Sequence, residues 1–244
     1  RHGELWLPLG LRLKRCGLVL GGWRQIDASA IAFCDDSHTY AIKRVQDHPH
    51  MPICEWVGHH LCRRCGILTP DFAVLSGSTD AEPQSFGSRI ANYSQIEHTP
   101  LSFEVSRFFR GHTAALAAVY ALDAVIINPD RHGRNFFVRS DVAGDKLLAF
   151  DFSRAWLRTG QPFGNTERMR DSGTETWWKA FKRIGASVDS DTLNLLSDLD
   201  SSWLSSVLRD APEQWLQGID QAAVLEFWDT RRSQRIDWAS RWLA

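Results

Sequence analysis

The sequence predicts an α+β chain, with a small β-rich first part carrying one helix and a larger, mostly helical second part. Three observations carry that prediction. Short apolar runs broken by polar turns recur through residues 1–93. From Thr174 onward the chain reads as one helix after another. Between them an Ala-rich stretch, Thr113–Ile127, is apolar nearly all round, as a buried helix is. The expected division is 1–93 and 94–244, two lobes of one unit.

In order, residues 5–20 alternate apolar and basic around Pro8, Gly10 and Gly17, and read as irregular or strand-like. Two apolar runs flanking Asp35-Asp36-Ser37 predict a hairpin whose second strand is Thr39–Val45. Helical spacing at positions 53, 56, 57, 61 and 65 predicts a helix ending at Gly66, with Glu55 in its first turn. Asp71–Leu75 and Ser85–Ala91 read as strands, separated by a loop from Gly77 to Pro83. Phe103, Phe108 and Phe109 are expected core anchors. Pro129 stops the helix that precedes it. Gly160, Pro162, Gly164 and Gly173 make 158–175 a loop-rich span. Helices are then expected at 174–184, 191–198, 201–208, 212–219 and from about 222 to 243. Seven of the eleven tryptophans fall in this last part, as anchors of a helical core.

The chemistry concentrates in Asp130-Arg131-His132-Gly133-Arg134-Asn135 and in Asp151-Phe152-Ser153, which lie on either side of an expected hairpin turn at 141–145. Phosphoryl transfer needs a carboxylate to take the proton of the attacking hydroxyl. It also needs oxygen ligands for the Mg²⁺ that neutralises nucleotide phosphates. Asp130 can fill the first role, and Asn135 with Asp151 the second. Tyr40-Ala41-Ile42-Lys43 matches the strand setting of a phosphate-binding lysine. Alone it is a common tetrapeptide, and a solvated strand-end lysine would read the same. Glu55 could orient that lysine, although the helix dipole favours a first-turn Glu anyway.

Asp-Arg-His with Asn three residues after the His resembles the HipA-type kinases and the phosphoinositide 3-kinase group. Glu55-Trp56-Val57-Gly58, followed by a helix and Gly66-Ile67-Leu68-Thr69-Pro70, is similar to the HipA-type segment that carries the lysine-orienting Glu. The resemblance implies a bilobal protein-kinase-like fold and Mg²⁺-ATP-dependent phosphorylation of serine or threonine on a protein substrate. In it Asp130 is the base, His132 steadies the loop or the transferring phosphate, Asn135 and Asp151 hold Mg²⁺, Lys43 binds phosphate, and Glu55 orients Lys43. An antitoxin-type regulator is the implied partner. The chain departs from the pattern in three ways. Ser153 stands where Asp-Phe-Gly has its Gly. No G-x-G-x-x-G is present, so Gly21-Gly22 and the segment to Ser29 would cover the phosphates. The chain is also shorter than full HipA toxins. A hinge contacting adenine would fall near residues 90–93.

Composition is that of an ordinary globular chain, 43% hydrophobic and 23% charged, and the net charge of -1 supplies no field for nucleic acid or an anionic membrane. No apolar run approaches the ~20 residues of a membrane span. The chain opens without Met or a signal-like core. Five cysteines without framework spacing predict a reduced, cytoplasmic protein. Cys62 and Cys65, with His59 and His60, suggest zinc, but one helix cannot present a tetrahedral set, so structural thiols are expected. A lipid kinase and a nucleotide-free binding module stay open as other classes.

Overall fold

The computed structural model describes residues 14–20, 30–76, 83–90, 94–95, 108–159 and 165–244. The Gly21–Ser29 segment, most of the 77–83 loop, positions 91–93 of the expected hinge, Phe103 and the centre of the 158–175 span lie outside these residues.

Five strands form a curled sheet: β1 Lys14–Leu20, β2 Ala30–Cys34, β3 Thr39–Lys43, β4 Phe72–Ser76 and β5 Ser85–Ile90. The order is β1-β2-β3-β5-β4, antiparallel except where β1 pairs parallel with β4 and closes the sheet. The expected hairpin turn is present, with Ser37 in the left-handed region at φ 62°. Thr39–Lys43 is buried after its first residue, so the strand ends with Lys43 facing the interior, 5% exposed.

Helix α1 spans Met51–Arg64. It starts two residues before the expected position, because Pro52 sits in the opening turn, where its missing N–H is not needed. Glu55 therefore lies two residues further in than expected, beyond the first turn. Trp56 fixes the helix. Its Nε1 donates to Val207 O at 2.8 Å, and its ring meets Phe72 and Trp215 edge-on.

β6 Ser94–Gln95, β7 Phe136–Asp141 and β8 Gly144–Ala149 form a second, three-stranded sheet. The buried helix is α2, Thr113–Ile126. Further helices are α3 Gly173–Lys182, α4 Ser190–Ser197, α5 Ser201–Arg209 and α6 Gln221–Leu243. Asp189, Asp200 and Asp220 cap the last three, each accepting from backbone N–H groups. The helix expected at 212–219 is only a 3-10 turn, Glu213–Trp215. Trp215 ties it across the molecule, its Nε1 donating to Gln84 O at 2.8 Å.

The cysteine expectation fails at Cys34. Cys34 is disulfide-bonded, while Cys54, Cys62 and Cys65 are free thiols. His59 packs among Phe72, Phe86 and Phe152, and Cys62 is fully buried, as structural side chains are. No group of three or more metal-ligating side chains occurs among the described residues. Nor is any helix among them long and apolar enough to cross a membrane.

Candidate functional site

Helix α2 is followed at its C-cap by Ile127, a β-branched residue at φ 51° and fully buried, so packing holds the chain in an unfavourable conformation as it turns into the loop. The loop is fastened by Arg131, which is completely buried. Its Nε donates to Asp123 Oδ2 at 2.6 Å and a terminal nitrogen to Asp123 Oδ1 at 3.0 Å, a two-pronged ion pair. The other terminal nitrogen donates to Asn135 O at 3.1 Å and to Phe150 O. One guanidinium thus ties α2, the loop and the chain entering Asp151 together. Thr174 adds a clasp, accepting from Arg131 N at 2.9 Å and donating to Asn128 O at 2.5 Å.

Gly133 opens the short 3-10 turn Gly133–Asn135, and a Cβ there would lie 2.5 Å from the Trp177 ring, so only glycine fits. The turn brings Asn135 Oδ1 to accept from His132 N at 2.9 Å, while Asn135 Nδ2 donates to Asp151 Oδ2 at 3.1 Å. Hairpin β7–β8 returns the chain beside the loop, and Phe150 N donates to Asn135 O at 3.1 Å. Asp151 then adopts φ 64°, a left-handed conformation for a non-glycine residue.

Four groups converge there. Lys43 Nζ donates to Asp151 Oδ1 at 3.2 Å and stands 3.7 Å from Glu55 Oε1. Ser153 Oγ donates to Asp151 Oδ1 at 2.7 Å, and Phe152 N to Glu55 Oε2 at 3.0 Å. Gly58 admits the Phe152 ring to α1, since a Cβ would run into it. Burial works to raise Asp151, but Lys43, Ser153 and Arg131 outweigh it and hold the carboxyl well below the usual range. Glu55 goes the other way. Burial pushes it up to about 8 despite the opposing pull of Lys43.

Asp130 differs from these. It is partly exposed, and its Oδ2 lies 3.1 Å from Arg154 Nε. The half-buried His132 ring is lowered from its ordinary value by burial, against the fields of Asp130 and Asp151. All six expected site residues, Lys43, Glu55, Asp130, His132, Asn135 and Asp151, are thus linked by contacts or mutual fields. Asp123, Thr174 and Arg154 were not singled out from sequence. Asp123 did leave a signal, as the lone charge in an otherwise apolar helix.

No protein-family model matches the chain, and no curated protein matches it in sequence. Solved structures do. A Helicobacter pylori proinflammatory kinase, CtkA, superposes with a TM-score of 0.55 at 12% identity, over 88% of this chain and 93% of that one. A HipA from Shewanella oneidensis, solved with HipB and operator DNA, gives 0.47 at 12% identity, over 88% of this chain and 64% of that one. The mixed α/β fold expected from the sequence, kinase-like in architecture, is the fold of the chain.

Proposed function

We propose that the chain is a Mg²⁺-ATP-dependent serine/threonine protein kinase of the HipA-like type, with residues 1–93 and 94–244 as its two lobes. The observation that carries the reading is the buried Lys43–Asp151–Asn135 chain of hydrogen bonds, with the accessible carboxylate of Asp130 beside it. The donor set fits Mg²⁺, which takes one or two protein oxygens and fills its shell with phosphate oxygens and water. Asp151 is ionised and ready. Asn135 now spends its Oδ1 on His132 N and would turn its amide to ligate. Lys43 balances Asp151 and burial pushes Glu55 up to about 8, so the buried group carries no excess positive charge to repel a cation at Asp151. Bound Mg²⁺ would neutralise charge on the transferring phosphate.

The chain's own residues do the rest. Lys43, freed from Asp151, holds phosphate oxygens, and Glu55 keeps it aimed. Asp130 accepts the proton of the incoming serine or threonine hydroxyl. His132 N and Arg131 keep the loop in register.

Incubation of the purified chain with Mg²⁺ and terminally labelled ATP, alone and with cell extract, tests the reading. Label is expected on serine or threonine, and Asp130→Ala should reduce it by ~10²–10⁴-fold without unfolding the protein. Mg²⁺-ATP should raise the melting temperature well above ATP with EDTA, and Asp151→Asn should erase most of that difference. Labelled phosphoinositide with unlabelled protein would replace the reading with a lipid kinase. No transfer and no ATP binding would replace it with a binding module.

A further inference from the structure

A groove of about 600 Å³ lies apart from the site, between α2, the segment following α1, strand β8 and the start of α4. None of its lining residues belongs to the Lys43–Asp151 constellation, so a role for the groove is independent of the phosphoryl-transfer reading. The concavity has a sequence cause. Helix α2 opens with alanines at 114, 115 and 118, which are too small to fill the space between the flanking walls. Leu68 and Leu195 both line the groove and are 45% and 39% exposed. Exposed leucines scattered singly need no explanation, but two facing one groove over an alanine floor make an apolar slot.

The rim is acidic. Asp145, Asp189 and Asp191 line it, against the single ammonium of Lys146, which is already held by Asp141 at 2.8 Å. His112 adds no fixed charge, because burial lowers it from its ordinary value despite Asp145. An apolar slot with a predominantly negative rim selects against acidic partners and favours apolar segments flanked by basic residues.

We propose that this groove docks a short segment of a protein partner, one that places aliphatic side chains over Ala114, Ala115 and Ala118 and sets Lys or Arg against Asp145, Asp189 and Asp191. The aliphatic side chains bury the exposed faces of Leu68 and Leu195. The basic residues steer the encounter and fix its direction along the groove.

Fluorescence anisotropy with the full chain and a panel of labelled peptides tests this. One set carries Leu-x-Leu next to two or three Lys or Arg. A second replaces the basic residues by Glu, and a third replaces the leucines by Ser. The first set should bind, more weakly as salt rises, and both control sets should bind at least severalfold less well. Ala115→Glu should weaken the first set roughly tenfold or more, since it sets a carboxylate against the aliphatic side chains. Asp191→Lys, a surface change, should weaken the first set by roughly two- to fivefold and strengthen the second, because one exposed ion pair is at stake. Melting curves establish that both variants are folded. Equal binding by the three sets, no binding by any, or binding untouched by both variants overturns the proposal. Self-association that Ala115→Glu abolishes and peptide does not compete would assign the groove to a second copy instead.

Discussion

Asp130 and Arg131 are consecutive residues with opposite surroundings. Arg131 is wholly buried, paired on both prongs with Asp123 and stacked 4.7 Å from the Phe152 ring. Asp130 is turned to the surface, where it meets the half-exposed Arg154. The same contrast divides the site. Lys43, Glu55, Asn135 and Asp151 are all under 9% exposed, while Asp130 and His132 stand at the opening. The difference teaches which charges are frame and which are tools. A fully desolvated ion pair is justified by what it positions, because apolar residues of the same volume would hold the fold as well or better. A partly exposed carboxylate paired at the surface, as Asp130 is with Arg154, contributes less to folding than the buried pair does.

The largest expected effect breaks the frame. Asp123→Ala should destabilise the protein by about 3–5 kcal/mol, because it strands the Arg131 guanidinium in the core. That is a large share of the ~5–15 kcal/mol that holds a domain together. Denaturant unfolding measures it. The double variant Asp123→Leu/Arg131→Met should recover much of the loss, yet the loop, no longer tied to Asn135 O and Phe150 O, should lose its metal-dependent ATP response. A single variant as stable as the parent would break the distinction between frame and tool.

That distinction was only half legible in the sequence. The candidate site residues stood out because their spacing fits phosphoryl-transfer chemistry: Asp130 to Asn135 on one loop, and Asp151 at the end of a hairpin. Lys43 and Glu55 were readable by order. The strands and most helices followed from their apolar periodicity. The frame was not readable, because partners such as Asp123, Thr174 and Phe150 O meet Arg131 only in the folded chain. Gly58 and Gly133 carry no sign of the rings that press on them. The Trp215 indole's bond to the distant Gln84 O, at the 3-10 turn Glu213–Trp215, escaped for the same reason. The disulfide at Cys34 went unread because an odd cysteine count without spacing argues for free thiols.

A middle-sized effect sharpens the comparison through pH. Burial pushes His59 down to about 3 and His60 down to about 4, so both stay neutral in the folded protein far below the unfolded value of ~6.5. The unfolded chain then binds more protons than the folded one. Stability should fall as pH drops below ~6.5, by up to ~1.4 kcal/mol per unit for each histidine, until the folded values are reached. His59→Gln should flatten that slope between pH 6.5 and 4, as read from denaturant midpoints across the range. His132→Gln, at the open edge, should change it much less. Equal effects of the two would show that the edge is as tightly built as the interior.

The smallest effect probes the tool side alone. Arg154 Nε stands 3.1 Å from Asp130 Oδ2, but the arginine side chain is 51% exposed and the aspartate 29%. Exposed pairs of this kind are worth ~0–1 kcal/mol, and salt screens them further. Arg154→Gln should therefore leave the unfolding free energy within about 1 kcal/mol of the parent, and the small difference should vanish at high salt. Its effect belongs to chemistry. In the proposed reaction the substrate hydroxyl reaches the carboxylate beside Arg154, so removing the guanidinium should alter turnover by less than the loss caused by Asp130→Ala and leave nucleotide affinity unchanged. Melting curves at two salt concentrations, beside transfer rates, separate the possibilities. A loss of stability on the scale of Asp123→Ala would mean that Arg154 is part of the frame, and that Asp130 is held rather than offered.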